Sequence, residues 1–191
     1  MNNILKNKKG VLLGALAVLS ILSLLYIFSH LSSKQEVLTP PKNTTQATYD
    51  SIIPGVSTKE DVINKFGKPI NTDPALLEFR SLSPNRNNQV EISQDKVSLV
   101  KEIITLKDTR RTTDVINSYG VAQKILYGPY SDTGFYLFVY PTNGIAYIGH
   151  PESGLLLEIW YFPPTNIPDF IANYAEGYSE SFQESGPENL N

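Results

Sequence analysis

Hydrophobic and polar residues follow the same order in two separate stretches of the chain. The segments EDVINKFG (60–67) and TDVINSYG (113–120) share the run D-V-I-N, an aromatic residue and a final glycine. In each segment the apolar side chains fall at positions i, i+1 and i+4, which predicts a short amphipathic helix with one apolar stripe. The final glycine suits the left-handed conformation that ends many helices. The repetition therefore predicts two equivalent helices that pack against a core.

Strand-like runs follow each predicted helix in the same order. They lie at 76–82, 89–93 and 97–105 after the first helix, and at 134–140, 144–148 and 155–162 after the second. The loops between them are short, and short loops join antiparallel rather than parallel strands. The predicted fold class is α+β, a tandem α-β-β-β repeat that forms one antiparallel sheet with helices packed on one face. A C-terminal helix, opened by Pro168 and Asp169, is predicted to follow.

Polar residues at the predicted helix ends indicate how the helices begin. Ser57 with Glu60 fits a capping box before the first helix, and Asp108 or Thr109 is the expected cap of the second. The repeated Asp and Asn of D-V-I-N mark either capping and solvated positions or two equivalent binding sites. Capping is the simpler interpretation.

An uncharged apolar segment precedes the repeat, VLLGALAVLSILSLLYIFSHL at 11–31. As a helix it would span about 30 Å, the thickness of a bilayer core. Lysines just before it predict a cytoplasmic N-terminus, so the repeat would be periplasmic or extracellular, behind a single-pass plasma-membrane anchor. A cleavable signal peptide is the alternative, but the segment is long and lacks a good small-x-small site. Gly10 and Gly14 form a GxxxG pair and leave a homodimer open.

These observations predict the following division of the chain. It comprises a cytoplasmic N-terminus at 1–10, a transmembrane helix at 11–31, a flexible linker at 32–48, repeat 1 at 49–107, repeat 2 at 108–165, a C-terminal helix at 166–184 and a tail at 185–191.

Charge and cysteine content limit the kinds of site and partner that the chain can have. The sequence has no cysteine, which excludes disulfides, thiolate metal sites and a lipid-modified cysteine. After Lys124 it contains no basic residue, and the net charge of the chain is −3. An acidic second half disfavours nucleic acid and anionic lipid headgroups, and it suits an envelope partner with a basic surface or divalent cations. The simpler interpretation is a solvated face that keeps the chain soluble. No catalytic or metal-binding motif occurs, and no cofactor is predicted.

The stretch IIPGVSTKEDVINKFGKPI, at 52–70, resembles the opening of the SmpA/OmlA-like outer-membrane assembly lipoproteins. That family shows a Pro-Gly, a capped helix ending in Gly-x-Pro, and then antiparallel strands. The doubling is similar to the β-lactamase-inhibitory-protein-like tandem family, in which two units form one continuous sheet. The resemblance implies this architecture and a protein-binding role without catalysis. The chain departs from the lipoprotein pattern because it has no cysteine, and the proline after the first glycine has no counterpart after Gly120.

Aromatic residues concentrate in the second repeat and indicate a candidate binding surface. Strand alternation places Leu156, Glu158, Trp160 and Phe162 on the face away from the two helices. We expect this face to be exposed unless the C-terminal helix, the linker or a dimer mate covers it, or the alternation is inverted. The predicted function is a membrane-anchored binding or scaffold module for envelope proteins. The alternative is a cell-wall glycan binder, or a weak glycoside hydrolase that uses the same face and Glu158.

Overall fold

One antiparallel sheet organises the part of the chain that the computed structural model describes, residues 45–71 and 73–182. Its strands are β1 (Leu76–Phe79), β2 (Asn88–Ser93), β3 (Lys96–Ile103), β4 (Lys124–Leu126), β5 (Tyr136–Tyr140), β6 (Ile145–Gly149) and β7 (Leu156–Tyr161). The strand order is β1-β2-β3-β7-β6-β5-β4. Every neighbouring pair is antiparallel, as the short loops predicted.

The two repeats meet at the centre of the sheet. Strands β3 and β7, the last strand of each repeat, pair with each other, so Val100 lies opposite Tyr161 and Ile103 opposite Glu158. The sheet has seven strands where the sequence pattern predicted six. The additional strand is β4, which is three residues long and too short to show alternation in the sequence. The α+β class and the single antiparallel sheet are therefore confirmed.

In the part of the chain that the structure describes, three α-helices of eight residues each accompany the sheet, α1 (Lys59–Phe66), α2 (Thr112–Tyr119) and α3 (Ile167–Tyr174). The C-terminal helix is shorter than the predicted 166–184. Asn166 caps its start by accepting the backbone N–H of Asp169 at 2.9 Å. The helix ends at Tyr174, and Gly177 then takes a positive φ of 79°, so the chain after the helix turns away from the helical path.

Helices lie on both faces of the sheet. Val62 of α1 and Val115 of α2 pack in one core cluster with Ile159. Phe170 of α3 packs in a second cluster with Trp160. Because Ile159 and Trp160 are neighbours on β7, their side chains point to opposite faces. Helices α1 and α2 thus share one face as predicted, and α3 covers the other.

Helix α1 begins with a capping box one residue later than the sequence indicated. Thr58, not Ser57, is the N-cap, and its Oγ1 accepts the backbone N–H of Asp61 at 3.2 Å. Asp61 Oδ2 in turn accepts the backbone N–H of Thr58 at 2.8 Å. The Thr58 hydroxyl also donates to Asp61 Oδ2 at 2.9 Å, and these two bonds to the carboxylate, the backbone bond first, hold the pKa of Asp61 below its ordinary value. The Ser57 hydroxyl instead accepts the N–H of Ile53 at 2.9 Å.

Helix α2 uses its repeated aspartate in the same way. Arg111 occupies the N-cap position, where Asp108 or Thr109 was expected, and Asp114 Oδ2 accepts its backbone N–H at 2.7 Å. Asp108 instead pairs with Arg110. The doubled aspartates therefore serve as helix-start acceptors, and capping explains their repetition without a binding site.

The doubled isoleucines are not equivalent in their surroundings. Ile63 of α1 is partly buried and packs against the core, whereas Ile116 of α2 is 41% exposed. We expect Ile63→Ala to lower the free energy of unfolding by about 1–3 kcal/mol, and Ile116→Ala by less than about 1 kcal/mol. Urea denaturation followed by circular dichroism checks both values. Equal losses would show that the two helix stripes are buried alike and would contradict this difference.

Several predicted segments lie outside the described residues. They are the N-terminus at 1–10, the transmembrane helix at 11–31, the linker through residue 44 and the tail at 185–191. Within 45–71 and 73–182, none of the helices has the length and apolar character needed to cross a bilayer.

Candidate functional site

The candidate residues of β7 divide between the two faces of the sheet. Glu158 pairs with Ile148 of β6 and Leu156 pairs with Gly149, so Leu157 has no partner on β6. This bulge shifts the alternation by one residue. Leu156 therefore packs in the α1/α2 core, whereas Trp160 and Phe162 pack on the α3 side. The predicted common face was wrong for Leu156.

The expectation of an exposed aromatic face was also wrong. Leu156, Glu158, Trp160 and Phe162 are between 0% and 5% exposed. Helix α3 covers the aromatic part of this face, where the ring centroid of Phe162 lies 4.8 Å from that of Phe170 and 5.3 Å from that of Tyr174. Covering by the C-terminal helix was one of the predicted alternatives, and that alternative holds. The aromatic residues stabilise the packing of α3 on the sheet.

A buried carboxylate lies at the margin of this packing. Glu158 Oε2 accepts the indole N–H of Trp160 at 2.7 Å, and Oε1 forms an ion pair with Arg86 Nη2. Burial of a carboxylate is costly unless charged and hydrogen-bonding partners satisfy it, and here each oxygen has one. Glu158 is therefore held in one orientation, with a cation on one side and an indole donor on the other.

Arg86 reaches Glu158 from the loop between β1 and β2. Ser81 Oγ orders this loop by donating to the carbonyl oxygen of Arg86 at 2.5 Å and accepting the N–H of Ser83 at 2.9 Å. Partial burial opposes the charge on Arg86, but the hydrogen bond and charge of Glu158 outweigh burial and raise the pKa of the guanidinium. Arg86 thus stays charged and ties the loop to the centre of the sheet.

Lys101 lies beside Trp160 on the same face. Its Nζ sits 4.8 Å from the centroid of the Trp160 ring and 3.5 Å from Glu91 Oε1. The first contact has cation–π geometry, and the second is an ion pair that bridges β3 and β2. Lys101 also pairs directly with Trp160 across the ladder between β3 and β7. One face of the indole is therefore occupied by a cation of the chain itself.

These residues line an open groove of about 480 Å³ between the sheet and the segment that contains α3. Its lining residues are Arg86, Gln89, Glu91, Leu99, Lys101, Pro129, Tyr130, Glu158, Trp160, Asn173, Tyr174, Glu176, Gly177 and Tyr178. Acidic, amide and aromatic side chains predominate, and burial together with the charge of Glu158 raises the pKa of Tyr178, which keeps its hydroxyl neutral. The groove can hold a ligand through hydrogen bonds, charge and aromatic contact.

The sequence pattern identified Glu158 and Trp160 as candidate site residues, but it did not identify most of the other residues that line the groove. Arg86 and Tyr178 come from distant loops, and no local pattern brings either residue to β7. Strand alternation could have placed Lys101 on this face, because it is two residues from Leu99 and lies on the same side of β3. Its cross-strand pairing with Trp160 required the β3–β7 register, which the sequence does not specify.

The glycoside-hydrolase alternative depends on the carboxylate of Glu158. Glu152, an acidic residue close to Glu158 in the sequence, lies exposed in the turn between β6 and β7. Both oxygens of Glu158 already have donors. Within 45–71 and 73–182, no cluster of three or more His, Cys, Asp or Glu residues has an arrangement that suits a metal ion.

No protein-family model and no curated protein matches the chain. Two solved structures are similar at low identity. A DUF4309 family protein from Bacillus subtilis is 14% identical, with a TM-score of 0.45 over 61% of this chain and 86% of that protein. A cysteine-rich secretory protein from Staphylococcus aureus is 13% identical, with a TM-score of 0.42 over 80% of this chain and 58% of that protein.

Proposed function

We propose that the chain is a membrane-anchored, extracytoplasmic binding or scaffold module that engages an envelope protein at the groove beside α3. The observation that supports this proposal is the groove itself, an open recess lined by acidic and aromatic side chains, of which Glu91, Glu158 and Trp160 lie on the sheet. Aromatic residues in such recesses frequently supply most of the binding energy of an interface. The uncharged apolar segment at 11–31, predicted to be an anchor, and the resemblance to small assembly lipoproteins support the envelope location.

The charge of the groove favours a partner with a basic segment. Glu91 and Glu176 line it together with Glu158, and the chain after Lys124 contains no basic residue. Glu158 is paired with Arg86 and Glu91 with Lys101, but Glu176 is exposed on the side of α3. A lysine or arginine of the partner would meet this carboxylate and the ring of Tyr130, which is exposed at the groove.

Photo-crosslinking in the full-length chain tests this function. A benzoylphenylalanine at Tyr130 should form an adduct with an envelope protein. Glu91→Gln with Glu176→Gln should reduce the adduct by about tenfold, because the groove loses two negative charges and Lys101 loses its acidic partner. The matched control is Glu60→Gln with Glu152→Gln, two exposed glutamates that do not line the groove. This control should leave the adduct unchanged. An adduct equally reduced by both pairs would contradict a partner at the groove.

The glycan alternative has one observation in its favour. Gln89 and Asn173 line the groove beside Trp160 and Tyr174, and planar amides with aromatic rings suit the hydroxyls and faces of sugars. Soluble cell-wall glycan fragments added to the full-length chain distinguish the two functions. Saturable binding that Asn173→Ala weakens, without any protein adduct at Tyr130, would replace the protein partner with a glycan.

A further inference from the structure

A second recess, of about 310 Å³, opens on the α1 side of the sheet, beside the edge strand β1. Its lining residues are Tyr49, Phe66, Lys68, Ile70, Phe79, Arg80 and Asn88. Phe66 lies between the two other rings, with its centroid 5.3 Å from that of Tyr49 and 5.5 Å from that of Phe79. This recess shares no lining residue with the groove beside α3. Its wall is a continuous aromatic surface.

The segment after α1 forms one wall of the recess. Gly67 ends the helix with a φ of 82°, and the proline two residues later prevents its continuation. The chain then follows the free edge of β1. The N–H of Ile70 donates to the carbonyl of Glu78 at 2.8 Å, and Asn71 Nδ2 donates to the carbonyl of Leu76 at 2.6 Å. Lys68 is therefore carried on a segment that hydrogen bonds hold in place.

The two cations of the recess differ from the ion-paired cations of the fold. Arg86, Lys101, Arg110 and Lys124 each pair with a carboxylate. Among the residues that the structure describes, Lys68 and Arg80 have no hydrogen-bond or ion-pair partner, and no acidic residue lines the recess. Lys68 and Arg80 thus bring two exposed positive charges to an apolar recess that no acidic residue lines, which favours an anion.

Tyr49 adds a neutral hydrogen-bond donor to this recess. Its hydroxyl oxygen accepts Asn88 Nδ2 at 3.1 Å, which leaves the hydroxyl proton without an acceptor among the described residues. Burial, followed by the charge of Glu102, raises the pKa of Tyr49 to about 12. The hydroxyl therefore keeps its proton at neutral pH and can donate it to an anionic oxygen.

We propose that this recess binds a small amphiphilic anion, with a phosphate or carboxylate head at Lys68 and Arg80 and an apolar body against Tyr49, Phe66 and Phe79. Lys68 and Arg80 supply charge-assisted hydrogen bonds, and the aromatic wall removes apolar surface of the ligand from water. Ile70, which is more than half exposed, extends the apolar surface at the mouth of the recess. The site is distinct from the groove beside α3, so it stands independently of the protein partner proposed there.

Phenyl phosphate is a suitable probe, because it combines both parts of the ligand and stays in water. The full-length chain, reconstituted in nanodiscs of neutral phosphatidylcholine, is titrated with the probe and followed by saturation-transfer NMR. We expect phenyl phosphate to bind at least about tenfold more tightly than phenol or inorganic phosphate, because each of these lacks one half of the interaction. Equal binding of phenyl phosphate and inorganic phosphate would overturn the proposal.

The variants distinguish this site from general attraction of anions. Lys68→Ala with Arg80→Ala should weaken phenyl phosphate binding by about tenfold or more, because two charge-assisted contacts are lost. Lys65→Ala with Lys107→Ala removes the same charge from exposed lysines that do not line the recess, and should leave the affinity unchanged within about twofold. Equal weakening by both pairs would overturn the proposal.

The natural ligand has two possible sources with the same chemistry, and a second set of nanodiscs separates them. If discs that contain anionic phosphatidylglycerol weaken phenyl phosphate binding, and Lys68→Ala with Arg80→Ala removes this competition, the recess takes a lipid headgroup. If the affinity is the same in both discs, the recess takes a free small anion. Either result supports the site.

Discussion

Replacement of Trp160 by alanine should lower the free energy of unfolding by about 3–5 kcal/mol, the cost of truncating a large core side chain. Trp160 is 4% exposed and packs edge-on against Tyr178, with ring centroids 5.8 Å apart. The substitution also removes the indole donor of Glu158 and the ring beneath Lys101. The result would be a cavity together with a buried carboxylate oxygen that has lost its partner.

Chemical denaturation followed by circular dichroism measures this loss. Trp160→Phe is the matched control, since it keeps an aromatic ring but lacks the N–H, and it should cost less than the alanine variant. Trp160 is the single tryptophan of the chain, so its fluorescence reports directly on this site. We expect blue-shifted emission in the folded protein. Solvent-like emission together with a loss below about 1 kcal/mol would contradict the buried position.

The burial of Trp160 illustrates why the sequence predicted the strand better than its surroundings. Alternation correctly placed Glu158, Trp160 and Phe162 on the face opposite α1 and α2, because alternation is a property of the strand itself. It failed at Leu156, since the bulge at Leu157 depends on pairing with β6. The prediction that this face is exposed failed for a different reason. Whether a face is covered depends on where a distant helix docks.

The repeat was predictable because each copy contains its own local signals. The apolar stripe, the acid near the helix start and the final glycine lie within a few residues of each other. They specified α1 and α2 closely, with errors of one residue at Thr58 and of two or three at Arg111. The inequality of Ile63 and Ile116 was not predictable, because it depends on what each helix packs against.

The ion pair in the groove could not be predicted from local sequence patterns either, because its two residues are far apart in the chain. Arg86 and Glu158 are separated by 72 positions in the sequence, and the loop that carries Arg86 has no periodic pattern. An arginine in a polar loop is ordinarily solvated, so nothing marks it as the partner of a buried glutamate. Only the order β1-β2-β3-β7 brings the two residues to the same face.

Phe170→Ala should likewise lower the free energy of unfolding by about 3–5 kcal/mol, because it removes the principal side chain that fixes α3 to the sheet. Phe170 is 0% exposed, and its ring lies 4.8 Å from Phe162 and 5.7 Å from Tyr174. Helix α3 has only eight residues, and a helix of this length depends on tertiary packing for its stability. Weakened docking of α3 should therefore loosen the adjoining wall of the groove as well.

The matched control is Phe182→Ala, the same substitution at a ring that is 45% exposed and contacts Tyr127. It should cost less than about 1 kcal/mol, because little apolar surface is returned to water. Denaturation curves measure both losses, and hydrogen exchange of the α3 amides tests the docking directly. In Phe170→Ala these amides should exchange faster than those of α1, whereas in Phe182→Ala their protection should match the wild type. Comparable losses in both variants, with α3 protection retained, would show that α3 holds its position through its other contacts.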